Sequence, residues 1–355
     1  MAGRYEIMTT ATITTRLLRG FNDPSFCQAE WERLLAVGQS DVVFLTHEWQ
    51  SAWWASFGRG ELLLIAAERD GEVVALAPLF TEAGMVYFVG SGGSDYLNFI
   101  GDVRESEILD ALLGEAKRRV PGFIGFVFYH VPDDSETGRH LEAAAARLGL
   151  QFLDEGDLPA PALDIAAKRE IALAAANKKS LVRHERFFTR DGLLKISHLS
   201  RGEEILPHLE AFFEQHRRRW AATPHPSLFC DAAQQRFYRA VTSAAAKAGW
   251  LRFTRLDWQD RAIAFHFGFC YRGNFFWYKP SFALELARHS PGEVLLRQLL
   301  LAAIAEGAHT FDFGLGDEAF KSRFATRVNR VRTWGLYNPK ALARDPARTA
   351  TSLVP

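Results

Sequence analysis

The chain has 355 residues, 48% apolar and 24% charged, with 42 basic and 42 acidic side chains and a formal net charge of +0. This is ordinary globular composition for about two domains; it excludes a disordered chain and, taken whole, an evident nucleic-acid or membrane-surface binder. The sum conceals an asymmetry, because residues 1–165 hold 12 basic and 25 acidic residues and residues 166–355 hold 30 and 17.

Apolar spacing predicts a helix over 25–38, ending at Gly38, and a Trp-rich helix over 47–57. Two apolar strands within Glu61–Phe80 turn at Asp70-Gly71, a hairpin signal. A strand over 84–90, a helix over 105–120, a buried strand over 123–131 and a helix over 135–149 follow. Two strands, 151–156 and 160–165, flank a Pro-containing stretch at Leu158–Pro161. The order then starts again. A basic helix over 168–190 leads to a strand at 193–199, helices at 203–220 and 231–248, and a three-stranded meander over 250–282. A helix at 291–307, a strand at 309–314, a short helix at 317–326 and a last strand at 330–337 close the pattern. The expected organisation is one α/β unit used twice: an acidic domain over 1–165, a basic domain over 166–340, and a flexible tail over 341–355. The basic half is the one expected to meet an anion, and part of its charge is expected to offset that of the acidic half where they pack.

Cys27, Cys230 and Cys270 have no C-x-x-C spacing, which predicts a reducing compartment, no disulfide framework and no zinc or other metal site. The N-terminus shows no apolar leader core, and no stretch approaches ~18 uncharged apolar residues. A cytoplasmic protein without membrane insertion is expected.

Four stretches carry chemistry. Ser290-Pro291-Gly292-Glu293 reads as a capping box with Pro at the first helical position. The unpaired N–H groups of such a helix start can hold a pyrophosphate, and Gly292 admits close approach, although most capping boxes bind nothing. Asp312, Asp317, Glu318 and Lys321 gather at the end of a buried strand, where α/β sheets place ligands. There Asp317 is expected to cap the next helix and to face Lys321. Residues 177–190 hold five Lys/Arg and one Asp/Glu, which fits a solvated helix face or a phosphate or RNA clamp. Gly90–Tyr96 is either a plain turn or a loop presenting Asp95 and Tyr96 to a cleft. His266 and Lys279 fall on meander strands, and Arg217-Arg218-Arg219-Trp220 closes a helix without an assigned role.

FLTHEWQSAWWASFG (44–58), GSDYLNFIG (93–101), NKKSLVRHERFF (177–188), FFEQHRRRW (212–220), SPGEVLL (290–296) and FDFGLGDEAFKSRF (311–324) together resemble the GNAT-type acyltransferases of the CelD/BcsL cellulose-biosynthesis-associated family. These are double-GNAT proteins related to the Fem peptidoglycan aminoacyltransferases. Phe320 stands where that family often has Tyr, and Ser-Pro-Gly replaces the Gly-x-Gly of simple GNAT proteins. The resemblance implies tandem GNAT folds with mixed, mainly antiparallel sheets flanked by helices. It implies acetyl-CoA or another acyl-CoA as cosubstrate, held by Ser290, Pro291, Gly292, Glu293 and Lys321. The first-half helix opens Arg104-Glu105-Ser106-Glu107, which repels phosphate, so one donor site per chain is expected. The implied reaction is acyl transfer to an amine of a small-molecule, saccharide or polymer-precursor acceptor. Asp312 or Glu318 would be the base, with His266 behind them, and Tyr278 would be an acid for the leaving thiolate. Asp95, Tyr96, Lys279 and Asp317 would face the substrate. Two alternatives stay open: a Fem-like transfer from aminoacyl-tRNA, which the basic helix would serve, and a catalytically inactive binding protein of the same fold. DNA is not an expected partner, and the oligomeric state is left open.

Overall fold

The first described element is a strand that the apolar pattern did not signal, β1 (Ile13–Leu18), whose side chains are mostly half-buried. The structure, a computed structural model, describes residues 12–343 apart from residues 191 and 222. Of the expected tail, 341–343 fall in or beside the short helix Pro339–Leu342, and 344–355 lie outside the described residues.

After β1 come helices Gln28–Val37 and His47–Phe57, then β2 (Glu61–Arg69), β3 (Glu72–Glu82), β4 (Met85–Phe88) and the two-residue β5 (Ile100–Gly101). Helix Ser106–Arg119, β6 (Gly125–Pro132), helix Thr137–Arg147 and β7 (Gln151–Asp164) complete the half. The second half repeats the order with β8 (Leu194–Leu199), helices Leu209–Trp220 and Ala232–Lys247, and the meander β9 (Leu251–Trp258), β10 (Arg261–Tyr271) and β11 (Asn274–Phe282). Helix Pro291–Ala305, β12 (Thr310–Asp312), the short helix Ala319–Ser322 and β13 (Arg327–Tyr337) follow. Four hairpins turn on residue pairs with positive φ: Asp70-Gly71, Ala83-Gly84, Gln259-Asp260 and Arg272-Gly273. That is the geometry a two-residue loop needs to match the strand twist.

The strands form one sheet in the order β1-β2-β3-β4-β6-β13-β7-β12-β11-β10-β9-β8, with β5 on β3. Pairing is antiparallel except for β4–β6 and β11–β12. The last strand of each half has crossed over: β13 pairs with β6 of the first half, β7 pairs with β12 of the second, and the two pair with each other.

Three expectations change. The strands at 151–156 and 160–165 are one strand, β7, running through Pro159 and Pro161. Both prolines turn the missing N–H toward β12, which pairs only with residues 162–164, while their carbonyls accept from Gly316 N (2.9 Å) and Phe313 N (3.0 Å). The helix at 168–190 is two, Arg169–Ala176 and Lys179–Thr189, broken at Asn177-Lys178. The helix at 203–220 is interrupted around Pro207 by a 3-10 turn, Leu206–His208.

Alternating residues send apolar side chains to both sheet faces. On one face the halves share an aromatic core. Trp49 meets Phe237 at 5.0 Å and Phe269 at 5.5 Å, and Phe44 meets Tyr278 at 5.5 Å. Helix Leu209–Trp220 packs on this face through Phe212 and Phe213, and helix Pro291–Ala305 packs on the other. The expected charge offset is visible between the halves. Arg327 pairs with Asp164 (3.0 Å), Arg332 with Asp133 (3.0 Å) and Asp154 (2.6 Å), Arg272 with Asp41 (3.1 Å), and Arg330 with Asp157.

Candidate active site

Each parallel pair is short. β4 and β6 pair over three residues, Met85–Tyr87 and Gly125–Val127, then part. The chain itself enters that gap: Leu97 N–H donates to His130 O (3.1 Å), and His130 Nδ1 lies 2.9 Å from Ser94 O. β11 and β12 pair over Asn274–Phe276 and Thr310–Asp312 and also part. Here the gap holds a cavity of about 540 Å³, lined by residues 277–280 of β11, residues 313–321 after β12, and helix Leu209–Trp220.

A bulge in β11, where Trp277 and Tyr278 together face Gly268 of β10, shapes the wedge wall. His266, 0% exposed, stands beside the bulge on β10 and its Nε2 accepts the Tyr278 N–H at 3.2 Å.

Five of the sequence-predicted residues line this one cavity: Asp95, Tyr278, Lys279, Glu318 and Lys321. Asp95 comes from the loop plugging the first-half wedge, and its Oδ2 accepts from Leu315 N at 3.4 Å. Glu318 pairs with Lys321 at 2.7 Å. The Lys321 ammonium, 3% exposed, also donates to Leu315 O (2.6 Å), so it ties the 314–321 loop together. Tyr278 donates to Gly93 O at 2.7 Å, and burial raises its pKa well above the ordinary phenol value. The Lys279 Nζ lies 4.1 Å from the centre of the Tyr278 ring, and burial lowers its pKa.

The other predicted residues lie elsewhere. Asp312 accepts from Tyr96 OH (2.8 Å) and Gly314 N (2.8 Å), and it faces a second cavity of about 300 Å³. Burial raises its pKa to about 6. His266 is sealed off from the wedge, and burial lowers its pKa to about 3. Asp317 is exposed and outside the cavity; Glu318, not Asp317, occupies the N-cap and pairs with Lys321. The capping box at Ser290 does not form. Ser290 is left-handed (φ 55°) and makes no side-chain cap. Glu293 binds His184 (2.9 Å) and Arg323 (2.9 Å) instead. Pro291 does open the helix, and a Cβ on Gly292 would meet the Phe282 ring at 3.1 Å. Ser290, Pro291 and Gly292 thus sit one packed ring behind the wedge rather than on its cavity.

The sequence left His216, Arg219 and Trp220 unassigned, and all three line the cavity. A signal was present. Arg217 and Arg218 reach Glu214 (2.7 Å each), whereas the residues three and four before Arg219 are His216 and Gln215.

Residues 175–322 match the family model of the acetyltransferase (GNAT) domain. No curated protein matches the chain. Among solved structures, FemX superposes with a TM-score of 0.66 at 13% identity, covering 90% of this chain and 98% of that one. The C-terminal domain of a putative lysylphosphatidylglycerol synthetase from Agrobacterium fabrum gives 0.53 at 16%, covering 90% and 96%. A tandem GNAT protein from the clavulanic acid biosynthesis pathway gives 0.50 at 12%, covering 92% and 99%. At these identities the likeness is one of fold. The second half thus matches the GNAT acetyltransferase domain model, and the chain as a whole shares its fold with tandem GNAT proteins.

Proposed function

We propose that the protein is an acyl-CoA-dependent N-acyltransferase of the CelD/BcsL kind, moving an acyl group, acetyl in the simplest case, to an amine of a small-molecule, sugar or polymer-precursor acceptor. The observation that carries this reading is the open wedge between β11 and β12, a cavity of about 540 Å³ on which Tyr278, Lys279, Glu318 and Lys321 converge. The donor would enter from the face of helix Pro291–Ala305, with its pyrophosphate near residues 290–293, and the acceptor from the face of helix Leu209–Trp220. Glu318, on the cavity, would take the amine proton directly or through water. Asp312 would act one layer back by holding Tyr96 beside Asp95. Residues 166–340 would form the catalytic unit, and residues 1–165 would wall the acceptor side. The three free cysteines and the expected acyl-CoA donor fit a cytoplasmic setting; among the described residues no helix is long and apolar enough to cross a membrane.

Calorimetric titration with acetyl-CoA and longer acyl-CoAs tests this, followed by thiol release in the presence of candidate amines. Low-micromolar binding with amine-dependent thiol release supports it. No heat with any acyl-CoA rejects the donor.

A second reading, transfer from aminoacyl-tRNA, is favoured by one observation. Lys179, Arg183 and Arg186 form an exposed row on helix Lys179–Thr189, and none has a carboxylate within 4 Å among the described residues. The opposite side of that helix is pinned by His184–Glu293 (2.9 Å) and Glu185–Arg297 (2.6 Å). Aminoacyl-tRNA is therefore the next titrant.

A further inference from the structure

The wall of the wedge formed by helix Leu209–Trp220 has more cations than its neighbours use. The Arg219 guanidinium donates to Pro280 O at 2.7 Å and lies over the Phe282 ring at 4.4 Å. It has no carboxylate within 4 Å among the described residues, and burial lowers its pKa. Lys279, across the cavity, has none either. Both cations bear on His216, 4% exposed, which is fixed through Nδ1 to Ser227 Oγ (2.8 Å) and held neutral, its pKa lowered to about 3 by burial first and then by Lys279 and Arg219. The two positive charges therefore stand around one ring. The indole Nε1 of Trp220 is buried and has no acceptor. Of the two carboxylates on the cavity, Glu318 is taken up by Lys321, and Asp95 lies beyond 4 Å from Lys279. Two cations short of a carboxylate partner in a partly desolvated cavity lack an anion.

We infer that Arg219 and Lys279 form an anion subsite, which takes a carboxylate or phosphate carried by the acyl acceptor. The acceptor is then an amine that also bears an anionic group, such as an amino acid or a phosphorylated amino sugar. The subsite's assignment to the acceptor rests on the acyl-transfer reading, in which the acceptor enters along helix Leu209–Trp220, the helix that carries Arg219 and packs on the sheet face opposite helix Pro291–Ala305. The anion binding itself does not.

Trp220 and Trp277 both line the cavity, so tryptophan fluorescence reports on it. The test is a titration with inorganic phosphate, and separately with glutarate, at ionic strength held constant with chloride. A saturable change with at least one anion is expected, with half-saturation raised about tenfold or more in Arg219→Met and in Lys279→Met. Saturation by phosphate alone assigns a phosphorylated acceptor, and saturation by glutarate alone a carboxylate. Arg219 also holds the Pro280 carbonyl, so if thermal melts show Arg219→Met to be unfolded, Lys279→Met decides. A titration that does not saturate with either anion, or an unchanged midpoint in Lys279→Met, overturns the subsite. No acyl donor is present, so this result is independent of whether transfer from acyl-CoA succeeds.

Discussion

At the scale of single residues, environment separates carboxylates that look alike in the sequence. Asp312 and Glu318 both follow the same buried strand, yet one is enclosed behind Tyr96 and the other sits in the wedge paired to Lys321. Glu318→Gln is expected to lower kcat by roughly a hundredfold or more with little change in KM. Steady-state kinetics with a working acceptor check this, and loss of rate only in Asp312→Asn would move the base to Asp312. Asp312 also makes a pH prediction. Its pKa is raised from 3.8 to about 6, so the folded chain holds this proton more tightly than the unfolded chain does. Stability contributed by the group therefore falls as pH rises from about 4 to about 6. Urea unfolding across that range should show Asp312→Asn, which keeps an acceptor for Tyr96, gaining on the wild type by on the order of 2 kcal/mol. Equal pH slopes in the two proteins would contradict the burial account. None of this was legible beforehand, because spacing cannot tell a cavity-facing carboxylate from an enclosed one.

At the scale of elements, the sequence was most informative where the signal is local. The Asp70-Gly71 hairpin lies where turn chemistry puts it, and helices His47–Phe57 and Ala232–Lys247 lie where apolar spacing puts them. It failed where a local rule was outvoted. Pro159 and Pro161 read as a strand break, but one flank of β7 needs no donor there. Ser290 and Glu293 read as a capping box, but His184 and Arg323 claim the carboxylate. The β11 bulge opposite Gly268 is an element-scale device with a sharp test. A Cβ at Gly268 would stand 2.2 Å from His266 Cε1 and 2.4 Å from Phe276 O. Gly268→Ala should therefore cost about 3 kcal/mol of stability, by closing the space in which His266 occupies the Tyr278 N–H. Chemical denaturation measures it, and a near-neutral result would mean that the strand relaxes without strain.

At the scale of the whole molecule, the exchange of β7 and β13 makes the halves interdependent. Without β13, β6 would lose the partner on its inner flank and β7 its longest pairing. An expressed fragment of residues 1–165 is expected to lack cooperative unfolding, and the full chain to unfold in one transition seen alike by fluorescence and circular dichroism. Two separate transitions would show that each half stands alone despite the exchange. The shared aromatic core and the arginine–aspartate pairs across the exchanged strands point to one transition.

The sequence by itself determined what depends on neighbours a few residues away: the periodicity of most helices and strands, the turn residues, and the repeated order that marks a duplication. It also placed Lys279 on a meander strand and Glu318 and Lys321 just after a buried strand, and all three prove to line one cavity. Only the tertiary structure decided which strands change halves, that the loop carrying Ser94 and Leu97 enters the first wedge, and that Asp95 thereby lines the same cavity as Lys279 and Arg219 in the second. Those outcomes rest on contacts between residues more than a hundred positions apart, and residue spacing along the chain carries no record of them.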